Sequence, residues 1–197
     1  MNLLQFALAV ISTFVMPLAL AQDLAPDALI KSIADDVMAA LRQDQDAKLV
    51  EARILPHFDF RRSTQIAVGA NWRRATAGQQ EQLTREFRTL LVRTYSGVLA
   101  SYRDQVIEFK PLRLRPGDTE VTVRSHVKQA SAEPVVIEYD LERTALAWHV
   151  FDVRVGGISL VATYRSAFAE EVRNHGIEGL IGLLSSKNRG TVKRVSV

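Results

Sequence analysis

The chain has 197 residues, of which 47% are hydrophobic and 24% charged, with a formal net charge of +3. That composition excludes an extensively disordered chain, and the length allows one domain with a substantial core. The sequence contains no cysteine, which excludes a disulfide framework, thiol catalysis and zinc–thiolate sites.

Residues 1–21 carry no charged side chain, are apolar almost throughout, and end in Ala19-Leu20-Ala21. They read as a secretory signal peptide cleaved before Gln22. A retained membrane anchor is the competing reading, because the first residues include no Lys or Arg. No later run reaches the ~18 apolar residues a spanning helix needs, so the mature chain is expected to be soluble and outside the cytoplasm. Residues 22–189 are read as one α+β domain and residues 190–197 as a flexible basic tail.

Leu29, Ile33, Val37 and Leu41 recur at four-residue spacing, which predicts a helix over 28–41 that Pro26 or Asp27 can start. A second helical stretch runs from Val50 to Pro56. A third spans Asp59 to Gly69. Thr76 to Gln79 reads as an N-cap for a long amphipathic helix over about 78–103, with Leu83, Phe87, Leu90, Leu91, Val98, Leu99 and Tyr102 on one stripe. The period then changes to two. Strands are predicted over 106–114, from Val121 to Lys128, from Val135 to Leu141 and over 146–155, with turns at Pro116-Gly117-Asp118 and Glu142 to Ala145. Four consecutive strands with short connections predict an antiparallel meander. Gly156-Gly157 permits a bend or bulge. Helices over 159–173 and 177–186 follow, broken at Gly176. The expected architecture is a curved four-stranded sheet with one apolar face covered by helices.

Arg61-Arg62, Arg73-Arg74, Arg113 with Arg115, and the run from Lys187 to Arg194 are local basic points. They read as solvated surface, or as attraction to anionic headgroups or an acidic partner. No basic–aromatic recognition motif points to nucleic acid.

The residues offer little catalytic chemistry. His57, His126, His149 and His175 fall in four separate elements without metal-ligand spacing. Asp140 alternates with the apolar series Val135, Ile137 and Tyr139, so it faces outward. Asp152 is the best acid–base candidate. It could work in a pocket if burial raised its pKa, or it could pair with Arg154 or Arg124, or cap a local backbone group. Gly156-Gly157-Ile158-Ser159 lacks both the P-loop spacing and the G-x-S-x-G of a nucleophile elbow.

Several segments, taken in order, resemble the MlaC family, also called the toluene-tolerance auxiliary component of an ABC transport system. They are F-D-F at 58–60, G-A-N-W-R-R-A-T at 69–76, Q-x-x-L-x-x-E-F-R-x-L-L-V-R-T-Y at 80–95, W-H-V-F-D-V at 148–153, G-I-S-L-V-A-T-Y-R-S-A-F at 157–168 and G-I-E-G-L-I-G-L-L at 176–184. Gly156 stands where the family often has an acidic residue, and Thr163 where it often has Asn. The resemblance implies a nuclear-transport-factor-like or cystatin-like α+β fold around an apolar cavity. It also implies a periplasmic carrier, with no cofactor or metal, that ferries phospholipid. Its partners would be an outer-membrane lipoprotein complex and an inner-membrane ABC transporter with its substrate-binding subunit. A neighbouring branch implies hopanoid or another isoprenoid lipid as alternative cargo. A monomer is expected.

On that reading the candidate lining is Phe87, Leu91, Tyr95 and Leu99 on the long helix, and Val121, Val123, Val135, Ile137, Tyr139, Trp148 and Val150 on strands. Ile158, Leu160, Tyr164, Phe168, Leu180, Ile181 and Leu184 complete the helical cover. Tyr102, Arg103 and Arg165 are candidates for the headgroup rim. A small-molecule isomerase on the same fold is the competing reading, and it depends on Asp152.

Overall fold

A computed structural model describes residues 24–43, 47–99, 105–129, 132–145 and 147–190. The expected signal segment, the tail beyond Gly190, Leu146, and the rim candidates Tyr102 and Arg103 lie outside the described residues, as does the side chain of Leu99.

Helix α1 (Pro26–Arg42) opens on a proline, whose missing N–H costs nothing in the first turn. Its apolar side chains divide along its length. Leu29 and Ile30 pack on the sheet, while Val37, Met38 and Ala40 meet Ile54 and Ile107. Helix α2 (Ala47–Ile54) is followed by a 3₁₀ turn, Leu55–His57. Helix α3 (Phe60–Val68) starts where Asp59 accepts the Arg62 N–H at 2.8 Å, and it ends at Gly69. A 3₁₀ segment, Gly69–Arg74, leads to α4 (Ala77–Leu99). Thr76 and Gln79 cap α4 reciprocally. The Gln79 N–H donates to Thr76 Oγ1 at 3.3 Å, and the Thr76 N–H to Gln79 Oε1 at 2.9 Å. This is the capping-box exchange, which satisfies donors no helix turn can reach.

Among the described residues the sheet has five antiparallel strands in chain order. They are β1 (Val106–Phe109), β2 (Glu120–Gln129), β3 (Ala132–Arg143), β4 (Trp148–Val155) and β5 (Ile158–Ser159). The meander was expected, but with four strands. The fifth is two residues long, too short to leave a period. It folds back on β4 through Gly156 and Gly157, with Val155 opposite Ile158. Both glycines have positive φ, +57° and +83°, as a two-residue hairpin turn of the primed kind requires.

Other boundaries also moved. β1 stops at Phe109, because Lys110 to Pro116 leaves the ladder. β2 and β3 run further towards each other than the expected 129–134 loop. Helix α5 (Arg165–Arg189) begins six residues after Ser159, past a 3₁₀ turn at Ala162–Tyr164, and it kinks at Gly176, where φ is +71°.

Cross-strand register separates two faces. Val121, Val123, Ser125 and Val127 stand opposite Leu141, Tyr139, Ile137 and Val135, and the first three of these are themselves opposite Val150, Val153 and Val155 on β4. The other face is charged. Arg124 meets Glu138 at 2.7 Å, and Arg154 meets Asp140 at 2.8 Å. A bulge between β3 and β4 leaves Phe151 without an opposite residue. The bulge shifts the parity of β4, so Val153 and Val155 join the face of Trp148 and Val150.

The helices attach at this β4 edge. The Asp59 N–H donates to the Val150 carbonyl at 2.8 Å. The Ser63 hydroxyl, buried on α3, donates to the carbonyl of the bulged Phe151 at 2.6 Å. From the same edge Arg62 reaches Glu120 at 3.2 Å and Glu142 at 3.7 Å on the charged face. Among the described residues, α1 is the helix whose side chains join the buried apolar cluster of the sheet. The layer of α3, α4 and α5 forms a separate cluster with its own core.

Candidate functional site

Much of the candidate lining divides between these two clusters, and Tyr95, Val135, Ile137, Ile158 and Leu160 belong to neither. Phe87, Leu91, Tyr164, Phe168, Leu180, Ile181 and Leu184 belong to the helical cluster. Its centre is aromatic. Phe87 meets Tyr164 and Phe168 edge-on, with centroids 5.1 and 5.3 Å apart, and Tyr164 lies 5.4 Å from Phe168. Val121, Val123, Tyr139, Trp148 and Val150 belong to the sheet cluster under α1.

Burial sorts the candidates further. Phe87, Val123, Leu180 and Leu184 are 0% exposed. Protein atoms surround them completely, and a ligand cannot touch them without repacking. Trp148, Val150 and Phe168 are also buried. Leu91, Tyr95, Val121, Val135, Ile137, Tyr139, Leu160, Tyr164 and Ile181 are half-buried. Ile158 departs from expectation. At 64% exposed on the two-residue edge strand, it is no part of an enclosed lining.

Polar groups meet the apolar ones at a few points. Tyr95 has its phenol pKa raised well above the usual value, chiefly by burial, with Tyr164 and then Asp152 adding to it. Tyr139 is raised by burial as well, against the opposing influence of the Ser125 hydroxyl. Both phenols therefore stay protonated, each offering an apolar ring with one polar tip. Arg165, the described rim candidate, donates from Nε and Nη2 to the Ile66 carbonyl at 3.1 and 3.0 Å. It fastens the start of α5 to the end of α3, with its guanidinium exposed.

Asp152 is buried at 7% exposure, yet it pairs with neither Arg154 nor Arg124. One oxygen accepts the N–H groups of Val153 and Val161, at 2.8 and 3.3 Å. The other accepts the Ser159 hydroxyl at 2.5 Å. Ser159 Oγ in turn receives the Ala162 N–H at 2.8 Å. Burial raises the Asp152 pKa, against the lowering effect of these hydrogen bonds. Of the three roles open in the sequence, the one observed is capping. Asp152 ties β4 to the corner where β5 becomes the 3₁₀ turn.

Two of the concavities lined by described residues lie away from the candidate lining. One, of about 390 Å³, lies between α2 and α4 at Glu51, Leu55, Pro56 and Arg88. The other, of about 320 Å³, lies at the α5 kink beside Arg74, Gln79 and His175. Neither is lined by a candidate residue. Among the described residues no group of three or more His, Asp or Glu could hold a metal ion, and no helix is long and apolar enough to cross a membrane.

The candidate lining left out several participants in the apolar surface, among them Leu29, Ile30 and Val153. Leu29 and Ile30 cover the sheet, and their helical period was visible although their partner was not. Val153 packs with the sheet cluster, and only the parity break after Phe151 in W-H-V-F-D-V-R-V could have announced it.

These features define an α+β protein with a five-stranded meander, a helical layer fastened to one sheet edge, and apolar side chains in both. The MlaC protein family model matches residues 26–186, and the chain belongs to that family. The toluene tolerance protein ttg2D of Pseudomonas putida is 27% identical over 104 residues, 53% of this chain and 48% of that protein, so the match spans about half of each. A phospholipid-binding protein from Ralstonia solanacearum, solved in complex with a phospholipid, is 38% identical with a TM-score of 0.74. It covers 82% of this chain and 96% of its own.

Proposed function

We propose that this protein is a periplasmic phospholipid carrier. It holds acyl chains between the helical cluster and the apolar sheet face, and it shuttles lipid between an outer-membrane lipoprotein complex and an inner-membrane ABC transporter with its substrate-binding subunit. The observation that carries the reading is the likeness to the Ralstonia protein, whose structure contains a phospholipid and which matches most of both chains.

Physical chemistry supports enclosure. A two-chain lipid has on the order of 30 methylenes, each worth about 0.8 kcal/mol on leaving water. Roughly 25 kcal/mol of hydrophobic exposure must therefore be hidden during an aqueous crossing. A bilayer offers nearly the same burial, so loading and unloading can be close to balanced, and direction must come from the partners. The half-buried side chains Leu91, Tyr95, Ile137, Tyr139 and Tyr164 are the lining we favour, because a cargo can reach them with the least repacking. Asp152 does not favour an isomerase, since both its oxygens are occupied by capping.

The test is extraction. Protein stripped of lipid is incubated with phospholipid vesicles, re-isolated, and its lipid counted. Stoichiometric phospholipid on the re-isolated protein is the expected result. Protein that returns without lipid would overturn the reading.

A further inference from the structure

The connection from β1 to β2 is a run without helix or strand, Lys110-Pro111-Leu112-Arg113-Leu114-Arg115-Pro116, closed by a turn at Pro116 and Gly117. Hydrogen bonds at both ends fix it, among them the Asp118 N–H to the Arg115 carbonyl at 3.1 Å. The Lys110 N–H donates to the Arg124 carbonyl at 2.9 Å, and the Arg115 N–H to the Asp118 carboxylate at 2.8 Å. Leu112 packs against the sheet cluster. The remaining side chains of the run are exposed, and Leu114 is 45% exposed between two exposed arginines. Lys110, Arg113 and Arg115 against the single acid Asp118 leave the segment at three minus one, or +2. Among the described residues neither arginine is in an ion pair.

We infer that residues 110–116 form a docking site for an anionic phospholipid surface. Guanidinium groups bind phosphate oxygens two at a time. Leu114, 45% exposed beside them, adds apolar surface that the headgroup–acyl boundary can take up. A protein strand is the poorer occupant. The pairing edge of β1 ends at Phe109, and Pro111 and Pro116 interrupt any continuation of the ladder. The inference concerns how the protein meets a membrane, and it stands whether or not the protein carries lipid.

Each basic residue near an anionic membrane strengthens partitioning on the order of fivefold. Cosedimentation of the purified protein is measured with phosphatidylcholine vesicles and with vesicles that also contain phosphatidylglycerol. The expected result is a preference for the anionic vesicles that weakens as salt rises. Arg113→Gln with Arg115→Gln should cost roughly 25-fold in that binding, and Leu114→Ser should weaken it independently of salt. Arg73→Gln with Arg74→Gln removes equal charge from another exposed point and should change it far less. No anionic preference, or equal loss in both double variants, would overturn the inference. Lipid extraction by the Arg113/Arg115 variant, presented with phosphatidylcholine alone, separates docking from cargo binding. Wild-type protein that extracts lipid but ignores anionic vesicles refutes only the docking, and protein that docks but extracts nothing refutes only the carrier.

Discussion

Asp152 shows how a buried acid can be structural. Its carboxylate satisfies two backbone N–H groups and one hydroxyl at the corner where β4, β5 and the following 3₁₀ turn meet. Asp152→Ala leaves the Val161 N–H without its partner and should destabilise the protein by about 2–4 kcal/mol in urea unfolding. Asp152→Asn keeps an acceptor and should cost clearly less. The pH dependence has a definite sign. Burial raises the folded-state pKa above that of an ordinary aspartate, so the folded protein holds this proton more tightly than the unfolded chain. The stability from that proton is full below the ordinary aspartate pKa and is lost as pH rises through the raised folded pKa. Asp152→Asn should remove this component from a stability–pH profile, and an unchanged profile would count against it. The sequence could present Asp152 as base, ion-pair partner or cap. Distances of a few ångströms chose among them, and no pattern of residue types encodes those distances.

At the scale of elements, what was legible depended on length. The helix over Ala77–Leu99 announced itself through a long stripe and the Thr76-x-x-Gln79 cap. Thr76→Ala should cost about 1 kcal/mol in thermal or urea unfolding. The break at Gly176 was legible because glycine adopts φ +71° without strain. Gly176→Ala forces a Cβ into that conformation and should cost about 1–2 kcal/mol, with the loss visible in the same unfolding curves. The two-residue β5 and the bulge at Phe151 were not legible. A strand of two residues has no alternation to detect, and a bulge reverses parity in the middle of a continuous apolar run. That reversal hid Val153 and Val155 from the list of side chains on the apolar face. It also exposes the Phe151 carbonyl to the Ser63 hydroxyl of α3, while the glycine pair, read as a bend or bulge, makes the hairpin turn.

At the scale of the whole molecule, one apolar surface read from the sequence resolves into two clusters joined at the β4 edge. Hydrophobic period reports that a side chain is inside, and it cannot report which inside. Phe87, Leu180 and Leu184 are packed core, whereas Ile137 and Tyr139 remain half-buried on the sheet face. If the cargo lies along that face, Ile137→Trp should fill its space. Copurifying lipid should fall strongly while the unfolding midpoint changes little. The central claim is that this protein carries phospholipid, and native mass spectrometry of the gently purified wild-type protein tests it most directly. The expected spectrum shows protein with bound phospholipid, released as intact lipid on collisional activation. A spectrum holding only the bare protein mass, even after exposure to phospholipid vesicles, would contradict it.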